Sequence, residues 1–387
     1  MSSLTHDIVN AIVNNLSMNI VRLSRIIHPV GQGAFYTERF FDSDGNTLYT
    51  IVYDCGSSPK SFVNNEIHSF FVQDDVVDIL FLSHLDKDHI SGLDELKKVC
   101  EINTVIMPLL NSVQKMYMLC QGINKMLITD PKRYFNSSRI VYVSPVSSES
   151  KEERDYSDLG QELNSGTRIH IPKECSWVYV PFNYDSNARQ DFFLEKFKKI
   201  DELKNVDFDN DEEVNQIVLN ADVKLISKLN KVFRGSMSDG ANRVSMLLYS
   251  GPLHSGGSIL SDIEVHFNNW YEVEGKLNVS SAALYLGDTD LNQDGLLTEL
   301  RLQLDQLSHN IGMIQLPHHG SKRNFSRELS KFCEQSKVCL YFASFGTDNR
   351  FGHPSSSVVE QVVLNNGKFV GVTEKRDSML LGKYIKQ

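Results

Sequence analysis

The sequence predicts an α+β protein, two β-sheets sandwiched between helices. Three observations carry that expectation. Apolar runs of strand length dominate both ends of the chain. Each half closes with strand–loop–helix units. Acids and imidazoles recur just past the strand ends, where loops carry function.

The elements follow in order. Residues 1–24 space Ile8, Ile12, Val13, Leu16 and Ile20 at helical intervals and predict an N-terminal helix for packing or oligomer contacts. From Arg25 the period shortens. Segments 25–30, 34–41 and 47–53 read as strands, broken by Gly31 and Gly33 and by the turn Ser43-Asp44-Gly45-Asn46. Residues 76–82 are almost continuously apolar, as for a strand buried on both faces. A helix is expected at 93–99, and strands at 104–107 and 139–143 with a helical stretch between them. Residues 146–240 differ: 147–158 are polar and 201–213 strongly acidic, which predicts a helical, acidic insertion or lid. Strands return at 244–249, 261–267, 282–286, 313–316, 338–343 and 368–372, with helices at 296–304 and 356–364. The expected organisation is an N-terminal helix (1–24) before one domain (25–387) that carries the insertion at about 146–240.

Composition narrows the function classes. With 39 basic and 49 acidic residues the formal charge is −10, which argues against a generic nucleic-acid binder but not against a local basic patch. No stretch approaches 18 apolar residues, so no spanning helix is expected, and the N-terminus lacks signal-peptide features. The six cysteines (Cys55, Cys100, Cys120, Cys175, Cys333, Cys339) form no CxxC pair, which predicts neither a disulfide framework nor a zinc ribbon. The expectation is a reduced, cytoplasmic protein.

The chemistry concentrates in Ser83-His84-Leu85-Asp86-Lys87-Asp88-His89. Four potential ligands follow a buried strand within six residues. Alternation sends His84 and Asp86 one way, and the turn into a helix swings Asp88 and His89 another, so one loop can serve two adjacent metals. Imidazole with carboxylate suits Zn²⁺, Mn²⁺ or Fe, whereas all-oxygen ligation would suit Mg²⁺ or Ca²⁺ better. Asp54, Asp288 and His318-His319 close other predicted strands in the same manner. Two look-alikes are set aside. The Asp290–Gly295 loop has Arg301 where a calcium loop needs Glu, and Asp207-Phe208-Asp209 lacks both the Gly and the Glu.

Together, Asp54, His84-x-Asp86-x-Asp88-His89, Asp288 and Pro317-His318-His319-Gly320-Ser321 resemble the metallo-β-lactamase superfamily. Val30-Gly31-Gln32-Gly33, the Asp at 86 and Asn349-Arg350-Phe351-Gly352-His353-Pro354 resemble, more narrowly, the metallo-hydrolase domain of ComEC-type competence proteins. The resemblance spans about 25–125 and 240–385. It implies the αββα metallo-β-lactamase fold and two divalent ions, Zn²⁺ or Mn²⁺. His84 and Asp86 would hold one ion and Asp88 and His89 the other. Asp288 would bridge them and His318, in preference to His319, would complete the second site. Asp54 would orient ligands. The stretch 242–246 lacks the His most relatives supply; Asn242 is a candidate oxygen ligand, with His254 and His266 as fallbacks. Asp88, His353 and Arg350 would be catalytic, and Lys322, Arg323 and Asn349 phosphate-binding.

The resemblance therefore implies a phosphodiesterase or nuclease acting on nucleic acid, DNA foremost. Hydrolysis of a small nucleotide or other ester is the second reading. The third is a non-catalytic, metal-stabilised module in a multi-protein system such as defence, docking a partner through the N-terminal helix or the insertion.

Overall fold

The computed structural model describes residues 20, 22–136, 138–146, 152–171, 176–184, 190–234, 245–254, 264–266, 279–333 and 338–385. The strands are β1 (Arg22–Ile27), β2 (Gln32–Phe41), β3 (Thr47–Ser58), β4 (Asp75–Phe81), β5 (Cys100–Pro108), β6 (Arg139–Ser144), β7 (Glu153–Asp155), β8 (Glu162–Asn164) and β9 (Arg168–His170). They continue with β10 (Trp177–Phe182), β11 (Leu247–Pro252), β12 (Glu264–His266), β13 (Ala282–Tyr285), β14 (Ile311–Gln315), β15 (Cys339–Ser344), β16 (Gly367–Val372) and β17 (Leu380–Ile385).

One sheet runs β12-β17-β1-β2-β3-β4-β5-β6-β8 and the other β16-β15-β14-β13-β11-β10-β9-β7. In the first sheet β12 to β3 are antiparallel and β3 to β8 parallel; in the second β16 to β13 are parallel, β13 to β9 antiparallel, and the edge pair β9–β7 parallel again. Ligand sites of open parallel strands lie beyond their carboxyl ends. Here β4, β13 and β14 end at the residues singled out above.

The inner faces bury one core between the sheets, including Leu23, Tyr36, Phe40, Tyr179, Leu248 and Phe342. Within it lies an ion pair that sequence reasoning did not anticipate. Arg25 Nε donates to Glu38 Oε1 at 2.6 Å, both side chains buried. From the opposite sheet Ser250 Oγ and Tyr285 Oη donate to Glu38 at 2.7 and 2.8 Å, and Tyr179 Oη also donates to it.

Outside the first sheet lie α1 (Lys60–Phe70), α2 (Lys87–Ile90), α3 (Leu93–Val99), α4 (Ser112–Cys120), α5 (Lys125–Thr129) and α6 (Pro131–Tyr134). The same layer holds α7 (Gln190–Phe197), α8 (Asp211–Asn220) and α9 (Val223–Arg234). They share one core through Val63, Leu96, Met116, Phe197, Val214 and Leu229. The helices α10 (Leu296–Leu304) and α11 (Ser356–Leu364) cover the second sheet. The αββα expectation is met.

Three details differ from the sequence reading. Of the N-terminal helix, 1–19 and 21 fall outside the described residues, and Arg22–Ser24 belong to β1, paired with β2 and β17. Among the described residues of 146–240 the α-helices lie in the second half; β7, β9 and β10 extend the second sheet and β8 the first. Trp177–Phe182 is six buried residues in a row, a two-face-buried strand whose polar flanks hide it in a windowed reading. Among the described cysteines Cys55, Cys100 and Cys120 are free, whereas Cys339 is disulfide-bonded. No helix of the described residues is long and apolar enough to cross a membrane.

Candidate metal centre

The site begins with a break in a strand. Phe35 pairs with Cys55 and Tyr36 with Tyr53, so Asp54 is the extra residue of a β-bulge, at φ 55°. A bulge re-aims a side chain. This one turns Asp54 inward, where Oδ1 accepts from Ser83 N at 2.7 Å and Oδ2 from Ser83 Oγ at 2.6 Å and His89 Nδ1 at 2.8 Å.

The loop after β4 lies against bare backbone. A Cβ on Gly56 would sit 2.5 Å from His89 C and Ile90 N, and one on Gly33 would sit 2.7 Å from Asp88 O. Only glycines let β2 and β3 approach the ligand loop this closely. The VGQG segment therefore has a mechanical role at the site.

Asp86 stands at the N-cap of α2 yet makes no capping hydrogen bond. Its Oδ1 is buried without a partner. An acid used as a cap would accept from the first-turn amides, so Asp86 is aimed into the site instead.

At the other strand ends, His318, His319 and Gly320 all have positive φ (47°, 57° and 84°). Left-handed non-glycine residues cost about 1–3 kcal/mol each and cluster at functional sites. The turn is fastened by His318 N donating to Gly287 O at 3.0 Å.

Four imidazoles are anchored through Nδ1 and present Nε2 to a carboxylate. His84 Nδ1 meets Ser83 Oγ at 2.9 Å and Ser245 Oγ at 3.2 Å, with Nε2 3.8 Å from Asp86 and from Asp288 Oδ2. His89, held by Asp54, places Nε2 3.2 Å from Asp288 Oδ1. His319 Nδ1 donates to Ser344 O at 2.7 Å, and its Nε2 lies 3.2 Å from Asp88 Oδ2 and 3.9 Å from Asp288 Oδ1. His318 Nδ1 faces Asn324 Oδ1 at 3.1 Å, and its Nε2 lies 3.7 Å from Asp288 Oδ2. Asn324 Nδ2 donates to Asp288 O at 3.0 Å, which fixes the amide so that His318 Nδ1 must be the donor.

Two compact ligand groups result: His84, His89 and Asp288, and Asp88, His89 and His319. The buried atoms His84 Nε2, Asp86 Oδ1, His89 Nε2 and Asp288 Oδ1 have no hydrogen-bond partner. Each orphan costs about 1–3 kcal/mol, and cations would satisfy them together. Two divalent ions would also balance the four carboxylates of Asp54, Asp86, Asp88 and Asp288. The residues fit a dinuclear centre.

Without ions, protons take over part of that balance. Burial disfavours charge on His89, but Asp288 and Asp54 outweigh it and hold its pKa well above the ordinary imidazole value. Burial opposes ionisation of Asp88 too, yet the hydrogen bond from His319 and the nearby imidazoles bring it to about 2. Asp288 is likewise held well below the carboxylate range, burial being outweighed by His89, His318 and His319. Burial, with His89 beside it, lowers His84. Metal binding must displace such protons.

The remaining expected residues fall out as follows. His319, expected to be secondary to His318, is the buried member of the pair and faces Asp88; His318 is 30% exposed and approaches the His84 side of Asp288. Asn242 lies outside the described residues. The space beside His84 is met by Ser245, whose Oγ also accepts from Asp288 N at 3.0 Å. His254 is exposed beyond the far end of β11, whose length is about 16 Å. His266 is on β12, at the outer edge of the first sheet with four strands between it and β4. Neither fallback is at the site. His353 is half-buried, its ring centroid 5.4 Å from that of His318, with Nδ1 lacking a partner. Asn349 does not offer its amide outward: Nδ2 donates to Gly346 O and His353 O, and Oδ1 accepts from His353 N. Arg350, Lys322 and Arg323 are exposed. Sequence reasoning missed Ser83, Ser245 and Asn324 as anchors, because nothing local distinguishes them from ordinary loop residues.

Residues 46–146, which contain Asp54 and the ligand loop, match the family model of the metallo-β-lactamase superfamily. Among solved structures it is similar to unliganded yeast PDE1, at 10% identity over 95% of this chain and 99% of that one, TM-score 0.42. A diphosphatase of the PhnP family is similar at 9% identity, 90% and 94% coverage and TM-score 0.36. A Cronobacter sakazakii metallo-β-lactamase, a HARLDQ motif mutant, is similar at 10% identity, 87% and 89% coverage and TM-score 0.31. No curated protein matches the sequence.

Proposed function

We propose that the chain is a two-metal phosphodiesterase acting on nucleic acid, DNA foremost, of the ComEC-like kind. The observation that carries this reading is the division of Asp288: one carboxylate oxygen faces His84 and His318, the other His89 and His319. In this reading His84, Asp86 and His318 would hold one ion, and Asp88, His89 and His319 the other, with Asp288 shared. Four imidazoles with three carboxylates, and no thiolate, suit Zn²⁺ or Mn²⁺.

Such an ion pair supplies Lewis acidity toward a phosphoryl oxygen and acidifies water to a pKa of about 7 in favourable zinc sites. The protein's part is placement. Asp54, Ser83, Ser245, Asn324 and the Ser344 carbonyl fix the imidazole tautomers, as outer hydrogen bonds do in metal sites. Burial, reinforced by His318 and His319, brings the His353 pKa down to about 4. His353 would thus meet a phosphate or leaving oxygen as a neutral hydrogen-bonding partner at neutral pH. The permanent charge at this rim comes from exposed Arg350, with Lys322 and Arg323 beyond the His-His turn.

The test is metal analysis of the full-length protein together with cleavage of labelled single- and double-stranded DNA, RNA and a small phosphodiester in Mn²⁺ or Zn²⁺. About two ions per chain are expected, with DNA cleavage that Asp88→Ala abolishes. Turnover of the small ester alone would replace DNA with a small nucleotide as substrate. Function that survives His84→Ala in a metal-free protein would overturn the hydrolase reading.

A further inference from the structure

We propose that Phe351 is a stacking platform for an unpaired nucleobase of the substrate, an inference that rests on the phosphodiesterase reading and extends it to single-stranded ends or nucleotides. Two phenylalanines are exposed among the described residues, Phe192 at 45% and Phe351 at 70%. Phe192 lies on α7 with the Lys196 ammonium 4.2 Å from its ring centroid, an ordinary surface contact. Phe351 is joined to the candidate metal centre by a relay of rings. It stacks on His353 (5.9 Å, 30°), His353 meets His318 edge-on at 5.4 Å, and His318 Nε2 is 3.7 Å from Asp288.

The loop that carries it is built rather than slack. The Asn349 amide clamps both ends of the turn, to Gly346 and His353. Pro354 is packed so tightly on the His-His turn that a Cβ on Gly320 would sit 2.6 Å from its Cβ. The ring is therefore held in solvent at a fixed place relative to Asp288, although an apolar ring gains free energy by burial. One flank is occupied by His353, and the high exposure leaves ring surface open for a partner. The Nδ1 of His353, without a hydrogen-bond partner, and the exposed Arg350 lie on either side of it in the chain. A flat aromatic group beside phosphate-binding groups matches a nucleotide: base on Phe351, phosphate toward His353 and Arg350. A base inside a duplex has both faces covered by its neighbours, so Phe351 fits an unpaired or chain-terminal base.

Stacking is worth about 1–3 kcal/mol per base, about 5- to 150-fold in affinity. The test uses the full chain and a non-cleavable phosphonate dinucleotide bearing 2-aminopurine, whose fluorescence is quenched on stacking, with its abasic analogue as competitor. Wild type should quench the probe and prefer it to the abasic analogue by at least about 5-fold. Phe351→Ala should lose the quenching and the preference, and Phe351→Tyr should retain both. Equal affinity for the two ligands in wild type, or unchanged quenching in Phe351→Ala, would overturn the platform. Cleavage of a ring-free phosphodiester beside no base preference would sink the platform and leave the hydrolase reading standing. Phe351-dependent base binding with no cleavage of any phosphodiester would do the reverse.

Discussion

Asp54→Asn replaces one oxygen of the most buried acid at the site by an NH₂ group of the same size. All three groups that approach Asp54 are donors: Ser83 N, Ser83 Oγ and His89 Nδ1. The backbone N–H cannot rotate away, so the new amide must keep its oxygen toward Ser83 N. Its NH₂ then faces His89 Nδ1 and forces that nitrogen to accept. The ring proton moves to Nε2, the atom 3.2 Å from Asp288 Oδ1 that would bind metal. Loss of an orienting partner typically lowers metal affinity about 10- to 100-fold, or about 1.4–2.8 kcal/mol. Chelator competition should read that loss, circular dichroism should report an intact fold, and ¹⁵N chemical shifts of His89 should show the reversed tautomer. A folded Asp54→Asn protein with wild-type metal affinity would refute the orienting role.

Glu38→Ala leaves the Arg25 guanidinium buried without its carboxylate, and should cost about 3–5 kcal/mol in urea unfolding; a change below 1 kcal/mol would mean the pair is no more than neutral. Gly56→Ala sets a methyl against the His89–Ile90 backbone, so metal content should fall sharply, whereas Gly45→Ala, with open space around it, should retain metal. Acid should destabilise the protein in two steps. Burial, against the pull of Glu66, lowers His28 below the ordinary 6.5, so the unfolded chain takes that proton first and stability declines as pH falls below about 6.5. Burial raises Glu38, but Arg25 and the Tyr179 and Ser250 hydroxyls outweigh it and hold it below 4.5, so its contribution is present above that pH and is lost as pH falls through its lower, folded value. Urea midpoints across pH 3–8 should show both steps, with His28→Gln shrinking the first, to which His84 and His353, also held below 6.5, contribute; a flat profile would contradict both.

Much of this was legible in the chain itself. Strand-end grammar places Asp54, the 84–89 loop, Asp288 and His318-His319 together because each follows an apolar run whose register the sheet fixes. What stays hidden depends on partners distant in sequence. Which of two adjacent histidines is buried follows from a left-handed turn and from Ser344 and Asn324, not from spacing. Asn349 reads as a phosphate ligand until its own loop is seen to use both ends of its amide. Arg25 and Glu38 look like the polar face of edge strands, and only the second sheet reveals that face as interior. The strand Trp177–Phe182 is concealed by the polar residues around it.

The bulge, the ligand loop and the His-His turn stand close in space but far apart in the chain: Asp88 and His319 are 231 residues apart. A cation gripped by both would act as a reversible staple across that loop. Because it binds the folded chain alone, it stabilises the fold by mass action, by about 2.7 kcal/mol when the free ion is at about 100 times its dissociation constant. The ion can bind only after both sheets have assembled, since Asp88 follows a strand of one sheet and His319 a strand of the other. Metal release during heating should therefore coincide with loss of the whole sandwich rather than precede it, making bound metal a gauge of the complete fold as well as the seat of its chemistry.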